Sequence, residues 1–304
     1  MDEIPVDEVP ALRRVTVRVP MAIPIRGIAF RDATLVRGGM GWGESSPLPG
    51  YPVSSRACAQ AAIEAAVLGF PDPVRSVIPV NALIPEQDPV AAADHARRAV
   101  DQGYRTLKLK VGDDGDAARV EAVRAAVGDD IALRLDANGA WTLDDARDRV
   151  QRLARYSPEY IEEPVHGLED LARLRMDVTV KIAADESVRS LEDARRLAAL
   201  GATDVLVLKV QACGGVLRAL HWAEDAGVPA VVTSMLETSV GIGAGLALAA
   251  ALPELPYACG LATAGLLAAD VVADPLLPIE GRLEVRRPVP DEQLLEAYCA
   301  PEPK

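Results

Sequence analysis

Five charged residues recur along this chain at nearly one interval: Lys110, Asp136, Glu162, Asp185 and Lys209, with gaps of 26, 26, 23 and 24 residues. Each closes a short apolar run, in the settings TLKLK, ALRLDAN, YIEEP, KIAADES and DVLVLK. Three oxygen ligands with no histidine beside them suit octahedral Mg²⁺, with Mn²⁺ as a possible substitute, which makes Asp136, Glu162 and Asp185 the candidate metal ligands. At the fourth setting Glu162 competes with Glu163; strand alternation puts the two on opposite sides, and spacing alone does not choose between them. Lys108 and Lys110 lie two apart on one strand and face the same way. Their mutual repulsion beside a dication would depress one ammonium toward neutrality. Lys209 faces them from across the mouth. Base, metal and opposing cation are the equipment for removing a proton α to a carboxylate and holding the resulting enediolate.

Such groups need a scaffold that brings five strand ends to one place. An interval of about 25 residues accommodates one strand, one helix and two loops, the repeat of a (β/α)8-type barrel, whose catalytic groups sit at the carboxyl ends of its strands. Ser76 to Ile84 reads as barrel strand one, followed by a helix from Pro89 to Gln102 that starts after Asp88 and stops at Gly103. Strands two to six end at the five charges, strand seven is Ala230 to Ser234, and strand eight is Tyr257 to Ala262. An open doubly wound sheet is the weaker alternative. Residues 1–75 leave the rhythm. Val15 to Val19 and Ala33 to Arg37 read as strands, Gly41 to Tyr51 as a turn-rich loop, and Ser54 to Leu68 as a helix with a serine cap. The expected organisation is an α+β capping domain over 1–75, completed by about 275–304 packing back on it, and a catalytic barrel over 76–274. Cap loops carrying Arg26 and Tyr51 would close over the mouth and exclude water.

Composition narrows the partners. The net charge of −13 argues against nucleic acid and against an anionic membrane, since both need a basic face. Cys58, Cys213, Cys259 and Cys299 show no C-x-x-C or zinc spacing and read as idle thiols of a reducing cytoplasm. The acidic, proline-punctuated MDEIPVDEVP is not a signal peptide, and no apolar run approaches the roughly 18 residues of a membrane span. A cytoplasmic enzyme acting on a small-molecule carboxylate is the expectation. GIGAG (Gly241 to Gly245) falls in the seventh βα unit, so close helix packing or a backbone anion site is the better reading than a nucleotide loop. His95, His166 and His221 lie away from strand ends, which leaves lysine as the base.

Together, K-x-K (Lys108, Lys110), D-A-N-x-A-W (Asp136 to Trp141), I-E-E-P (Ile161 to Pro164), D-E-S (Asp185 to Ser187) and L-K (Leu208, Lys209) resemble the muconate-lactonizing-enzyme subgroup of the enolase superfamily. The resemblance spans the whole barrel and implies a modified (β/α)7β barrel with a capping domain. It also implies that the first glutamate of E-E-P, Glu162, is the ligand of strand four. Within the subgroup, GWGESSPLPGY and TSMLETSVGIG (Thr233 to Gly243) are similar to the dehydratases of menaquinone biosynthesis, and Arg134 and Asn138 match beside the strand-three aspartate. By that resemblance Lys110 removes the α-proton and returns a proton to the departing hydroxyl in a syn elimination. Lys209 acts as a cation, and Arg134, Asn138, Thr233, Ser234, Gly260 and Leu261 hold the substrate. The same groups serve N-acylamino acid racemases and muconate cycloisomerases, which stay open as alternatives. Dipeptide epimerases carry an Asp-x-Asp on strand eight, where this chain reads ACGLATAG. A non-catalytic metal-binding scaffold would require both lysines to be idle.

Overall fold

The computed structural model describes residues 12–25 and 27–300, so Arg26 lies outside the described residues. The chain opens with strands β1 (Arg13–Ile25), β2 (Ile28–Gly38) and β3 (Gly41–Ser45), which form one antiparallel sheet, and helix α1 (Ser55–Val67). Alternation along β1 and β2 turns Val17, Val19, Met21, Ala33 and Leu35 inward, where they meet Trp42 of β3. The expected loop at Gly41 to Tyr51 is therefore strand over its first five residues. Its Gly43 is required there, because a β-carbon would run into the Ala62 carbonyl of α1. Ser54 caps α1 by accepting from the Arg56 amide at 3.2 Å.

The barrel follows as β4 (Val77–Pro79), β5 (Ala82–Ile84), α2 (Pro89–Asp101), β6 (Thr106–Lys110), α3 (Asp116–Val127), β7 (Ala132–Asp136), α4 (Leu143–Ala154) and β8 (Tyr160–Glu162). It continues through α5 (Leu168–Asp177), β9 (Ile182–Ala184), α6 (Leu191–Leu200), β10 (Val205–Leu208), α7 (Val210–Cys213), α8 (Val216–Ala226), β11 (Ala230–Val232) and α9 (Ser239–Ala251). A 3₁₀ turn at Ala264–Leu266 precedes β12 (Arg282–Glu284) and α10 (Glu292–Ala297). Strands β5 to β11 form a parallel sheet of seven in sequence order, with Lys110, Asp136 and Glu162 side by side in register. Apart from the charged residues of β6, β7 and β8, the strands are apolar because helices cover their outer faces and the barrel interior their inner faces. The architecture is the one that the resemblance implies, a modified parallel barrel with an N-terminal capping sheet.

Two boundaries differ from the sequence expectation. Ser76 to Ile84 is not one barrel strand. Its first half, β4, pairs antiparallel with β12, and only β5 joins β6. The split falls where Val80 donates to Gly281 and Asn81 to Cys259. Strand eight shrinks to single bridges, Val80 with Cys259 and Thr233 with Gly260, which close the barrel. The segment after residue 275 divides its loyalty. β12 pairs with β4 in a two-stranded sheet beside the barrel, whereas Cys299 bridges Val17 of the cap sheet and Ala300 donates to Thr16. The glycines of GIGAG serve packing: a β-carbon at Gly241 would lie 2.5 Å from Glu237, and one at Gly245 2.6 Å from Leu261. Among the described residues no helix is long and apolar enough to cross a membrane.

Candidate active site

The carboxyl ends of β6 to β11 meet the cap loops in a pocket of about 140 Å³. Wider grooves exist, of about 460 Å³ beside α1 and about 810 Å³ at the opposite barrel end. Neither contains a lysine–carboxylate set. Of the expected residues, Lys108, Lys110, Asp136, Asn138, Asp185, Lys209, Thr233, Ser234 and Gly260 line the small pocket. Glu162 lies just beneath, fully buried, with its oxygens 2.7 and 2.8 Å from Lys108 Nζ. Lys108 also meets Asp136 Oδ2 at 2.8 Å. Lys110 Nζ donates to the same Oδ2 at 2.5 Å and to Asn138 Oδ1 at 2.8 Å. Lys209 donates to both oxygens of Asp185, and its ammonium sits 4.6 Å over the ring of Tyr51.

Tyr51 reaches down from the cap loop and donates to Asp185 Oδ1 at 2.7 Å. The two glutamates of E-E-P face different ways. Glu163, at φ +41°, turns away from the lysines; its carboxylate accepts from the Asp185 amide at 2.8 Å and from the Ser187 hydroxyl. It thereby holds the strand end that carries Asp185. Asn138, at φ +46°, links Lys110 to Glu186, to which it donates at 2.9 Å. Glu186 was not foreseen, although it adjoins Asp185 in D-E-S.

Two expected substrate contacts fall elsewhere. Arg134 is 1% exposed and does not line the pocket. Its register between Lys108 and Tyr160 buries it in the barrel interior, where it donates to Glu159 at 2.6 Å and to the Ala258 carbonyl at 2.5 Å. It stacks 4.9 Å from Tyr160 and 5.7 Å from Tyr257. Leu261 points the other way from Gly260, into the core against Gly245 of α9. Asn81 and Thr233 take up pocket wall instead, and the Thr233 hydroxyl has no protein partner.

The three lysines are electrostatically unlike. Burial pushes the Lys110 ammonium below its ordinary value despite Asp136, and the charge of Lys108 adds to the depression. Burial pulls on Lys108 as well, but Asp136 and Glu162 together hold it far above. Lys209 is held up in the same way by Asp185, Glu162 and Glu186. Burial and the neighbouring Asp136 push the Glu162 carboxyl up, a repulsion that a cation would relieve. The donor set offers only hard, buried oxygens and fits a dication in chemistry. As they stand, no three of the described acidic, His or Cys residues converge on one cation position. Each of the three strand-end carboxylates is engaged by a lysine.

Residues 91–291 match the enolase C-terminal domain-like family and residues 16–66 the enolase N-terminal domain-like family. Fold and constellation thus define an enolase-superfamily enzyme, a class whose members bind a divalent metal, typically Mg²⁺. An o-succinylbenzoate synthase of Thermobifida fusca is 51% identical over 93% of this chain and 90% of its own. One of Mycolicibacterium smegmatis is 44% identical over 95% and 90%. Muconate lactonizing enzyme from Pseudomonas fluorescens, solved with muconolactone, superposes with a TM-score of 0.86 at 24% identity, covering 95% of this chain and 98% of that one. The chain belongs to the enolase superfamily and, within it, to the o-succinylbenzoate synthase family.

Proposed function

We propose that the chain converts 2-succinyl-6-hydroxy-2,4-cyclohexadiene-1-carboxylate to 2-succinylbenzoate, the dehydration step of menaquinone biosynthesis. The observation that carries this reading is the asymmetry of two lysines facing one pocket. Lys110 has its charge depressed by burial, whereas Lys209 is locked as a cation on Asp185. A syn elimination needs one proton shuttle and one fixed charge. The identity of 51% with the Thermobifida fusca synthase supports the choice of substrate.

Asp136, Glu162 and Asp185 would hold Mg²⁺, or Mn²⁺ in its place. When bound, the cation supplies charge stabilisation to the substrate carboxylate oxygens. Lys110, as the neutral amine, takes the α-proton, and the electron pair moves onto the carboxylate to give the enediolate. The ammonium so formed returns the proton to the hydroxyl as the C–O bond breaks, water leaves, and the ring becomes aromatic. Lys209 stabilises the dianion without transferring a proton. Lys108 stays charged between Asp136 and Glu162 and keeps Lys110 short of protons. Tyr51, from the cap, shields Asp185 and Lys209 from water. Racemization of N-acylamino acids would need Lys209 as a second base, against the hold of Asp185. The test is purified protein with Mg²⁺ and the cyclohexadiene, following loss of its absorbance. Turnover that stops on thorough chelation and returns with Mg²⁺ is expected; full turnover after chelation defeats the metal assignment.

A further inference from the structure

Arg31, on β2 of the cap, is 2% exposed and its guanidinium donates to three backbone carbonyl oxygens. Nε donates to Leu236 at 3.1 Å, Nη2 to Ser46 at 2.5 Å and Nη1 to Pro47 at 3.3 Å. Leu236 belongs to the barrel loop between β11 and α9, and Ser46 and Pro47 to the cap loop between β3 and α1. One planar guanidinium therefore ties two loops from different parts of the fold. Those loops carry Leu236 and Leu48, which form part of the apolar wall of the pocket. Leu236 stands at φ +62°, a conformation a side chain with a β-carbon keeps only where its surroundings enforce it.

A second tie fixes the same loop. Gln211 of α7, two residues beyond Lys209, accepts from the Ser46 amide at 2.7 Å and donates to the Ser46 hydroxyl at 3.0 Å and Glu237 at 3.3 Å. Burying a cation among carbonyls costs desolvation and gains geometry, since the fork of donors fixes three oxygens relative to one another. Lysine in its place would offer one ammonium and no such fork.

We propose that Arg31 is a positioning residue that sets substrate selectivity by fixing the gap between Leu48 and Leu236. The part of the substrate it governs is the apolar body away from the reacting carboxylate. This rests on reading the pocket as a carboxylate-substrate site, and it leaves the lysine chemistry untouched. The test compares Arg31→Met, which keeps length and loses every donor, with Arg31→Lys, which keeps charge and loses the fork. With Mg²⁺ and the cyclohexadiene, KM rises about tenfold in Arg31→Met while kcat stays within about threefold. Amide hydrogen exchange over residues 46–51 and 235–238, measured without substrate, speeds up in both variants. Arg31→Lys serves alone if Arg31→Met does not fold. Wild-type KM with wild-type loop exchange in either folded variant overturns the proposal, as does an equal fall of kcat with KM unchanged. If the wild-type protein leaves the cyclohexadiene untouched, the dehydratase reading falls by itself. The KM comparison then moves to deuterium wash-in at the α-carbon of N-acylamino acids, with the same criterion deciding on Arg31.

Discussion

The barrel interior holds buried cations at two levels, and the two levels use different residues. Lower down, Arg134 lies over the rings of Tyr160 and Tyr257, which pack edge to face on each other, and pairs with Glu159. At the carboxyl rim the cations are Lys108, Lys110 and Lys209, each against an aspartate or glutamate. Arginine does not deprotonate in a protein, whereas a buried lysine can be tuned across neutrality. The lower level spends its charge on rigidity and the upper keeps one charge adjustable. Burial is common to both; the ability to lose a proton separates them.

The comparison breaks most sharply at Lys110. Lys110→Ala should lower dehydration about 10³-fold or more, because Lys108 stays protonated and no other base faces the α-carbon. Robust turnover by that variant would place the adjustable charge elsewhere. Arg134→Met should instead cost about 3 kcal/mol of stability, read from denaturant midpoints, because Glu159 loses its partner. Single-turnover proton abstraction by the folded fraction should stay near wild type. A collapse of chemistry with intact stability would return Arg134 to the substrate.

The seam between cap and barrel sharpens the contrast through pH. Burial pushes the Glu44 carboxyl up to about 7 from an ordinary 4.5, against the hydroxyls of Thr238 and Ser46 and the Gly241 amide. Below 4.5 both states carry the proton; between there and about 7 only the folded state does, so stability falls across that interval and levels off above it. Stability should fall by roughly 2–3 kcal/mol over that window, and Glu44→Gln should flatten the slope in urea titrations. The smallest effect is expected at Lys209→Arg, which keeps a cation and loses any base. Dehydration should drop about tenfold, and no α-proton exchange should occur on that face. Exchange from both faces of an N-acylamino acid by the wild type, lost on the Lys209 face in this variant, would speak for a racemase-like role.

Much of the rim was legible from sequence because strand-end spacing is local information. Lys110, Asp136 and Glu162 sit in one register row because the gaps between them are equal. The depth of Arg134 is not legible in the sequence, for a reason equally physical. Alternation says which face a residue takes but not how deep in the barrel its side chain finds partners, and of the two tyrosines beside it Tyr160 comes from β8 and Tyr257 from a segment about 120 residues after Arg134. The split of Ser76 to Ile84 was hidden because β12, more than 200 residues later, supplies the pairing for its first half. Arg31 gave no sequence signal at all. Its partners are backbone carbonyls, which every residue possesses.

The pairing of residues 298–300 with β1 carries a consequence for biosynthesis. Arg18 donates to Tyr298, Ala300 to Thr16, and Ala268 to Pro20, so these late segments cover the outer edge of β1. The edge of β1 is thus finished only when segments from far later in the chain have been made. Until residue 300 has emerged, β1 and β2 form a hairpin with one open edge, a template for pairing with another nascent copy. The βα units in between rely on neighbouring segments and can assemble meanwhile. Synthesis rate and chaperone cover should therefore govern the yield of soluble protein through this edge more than through the barrel.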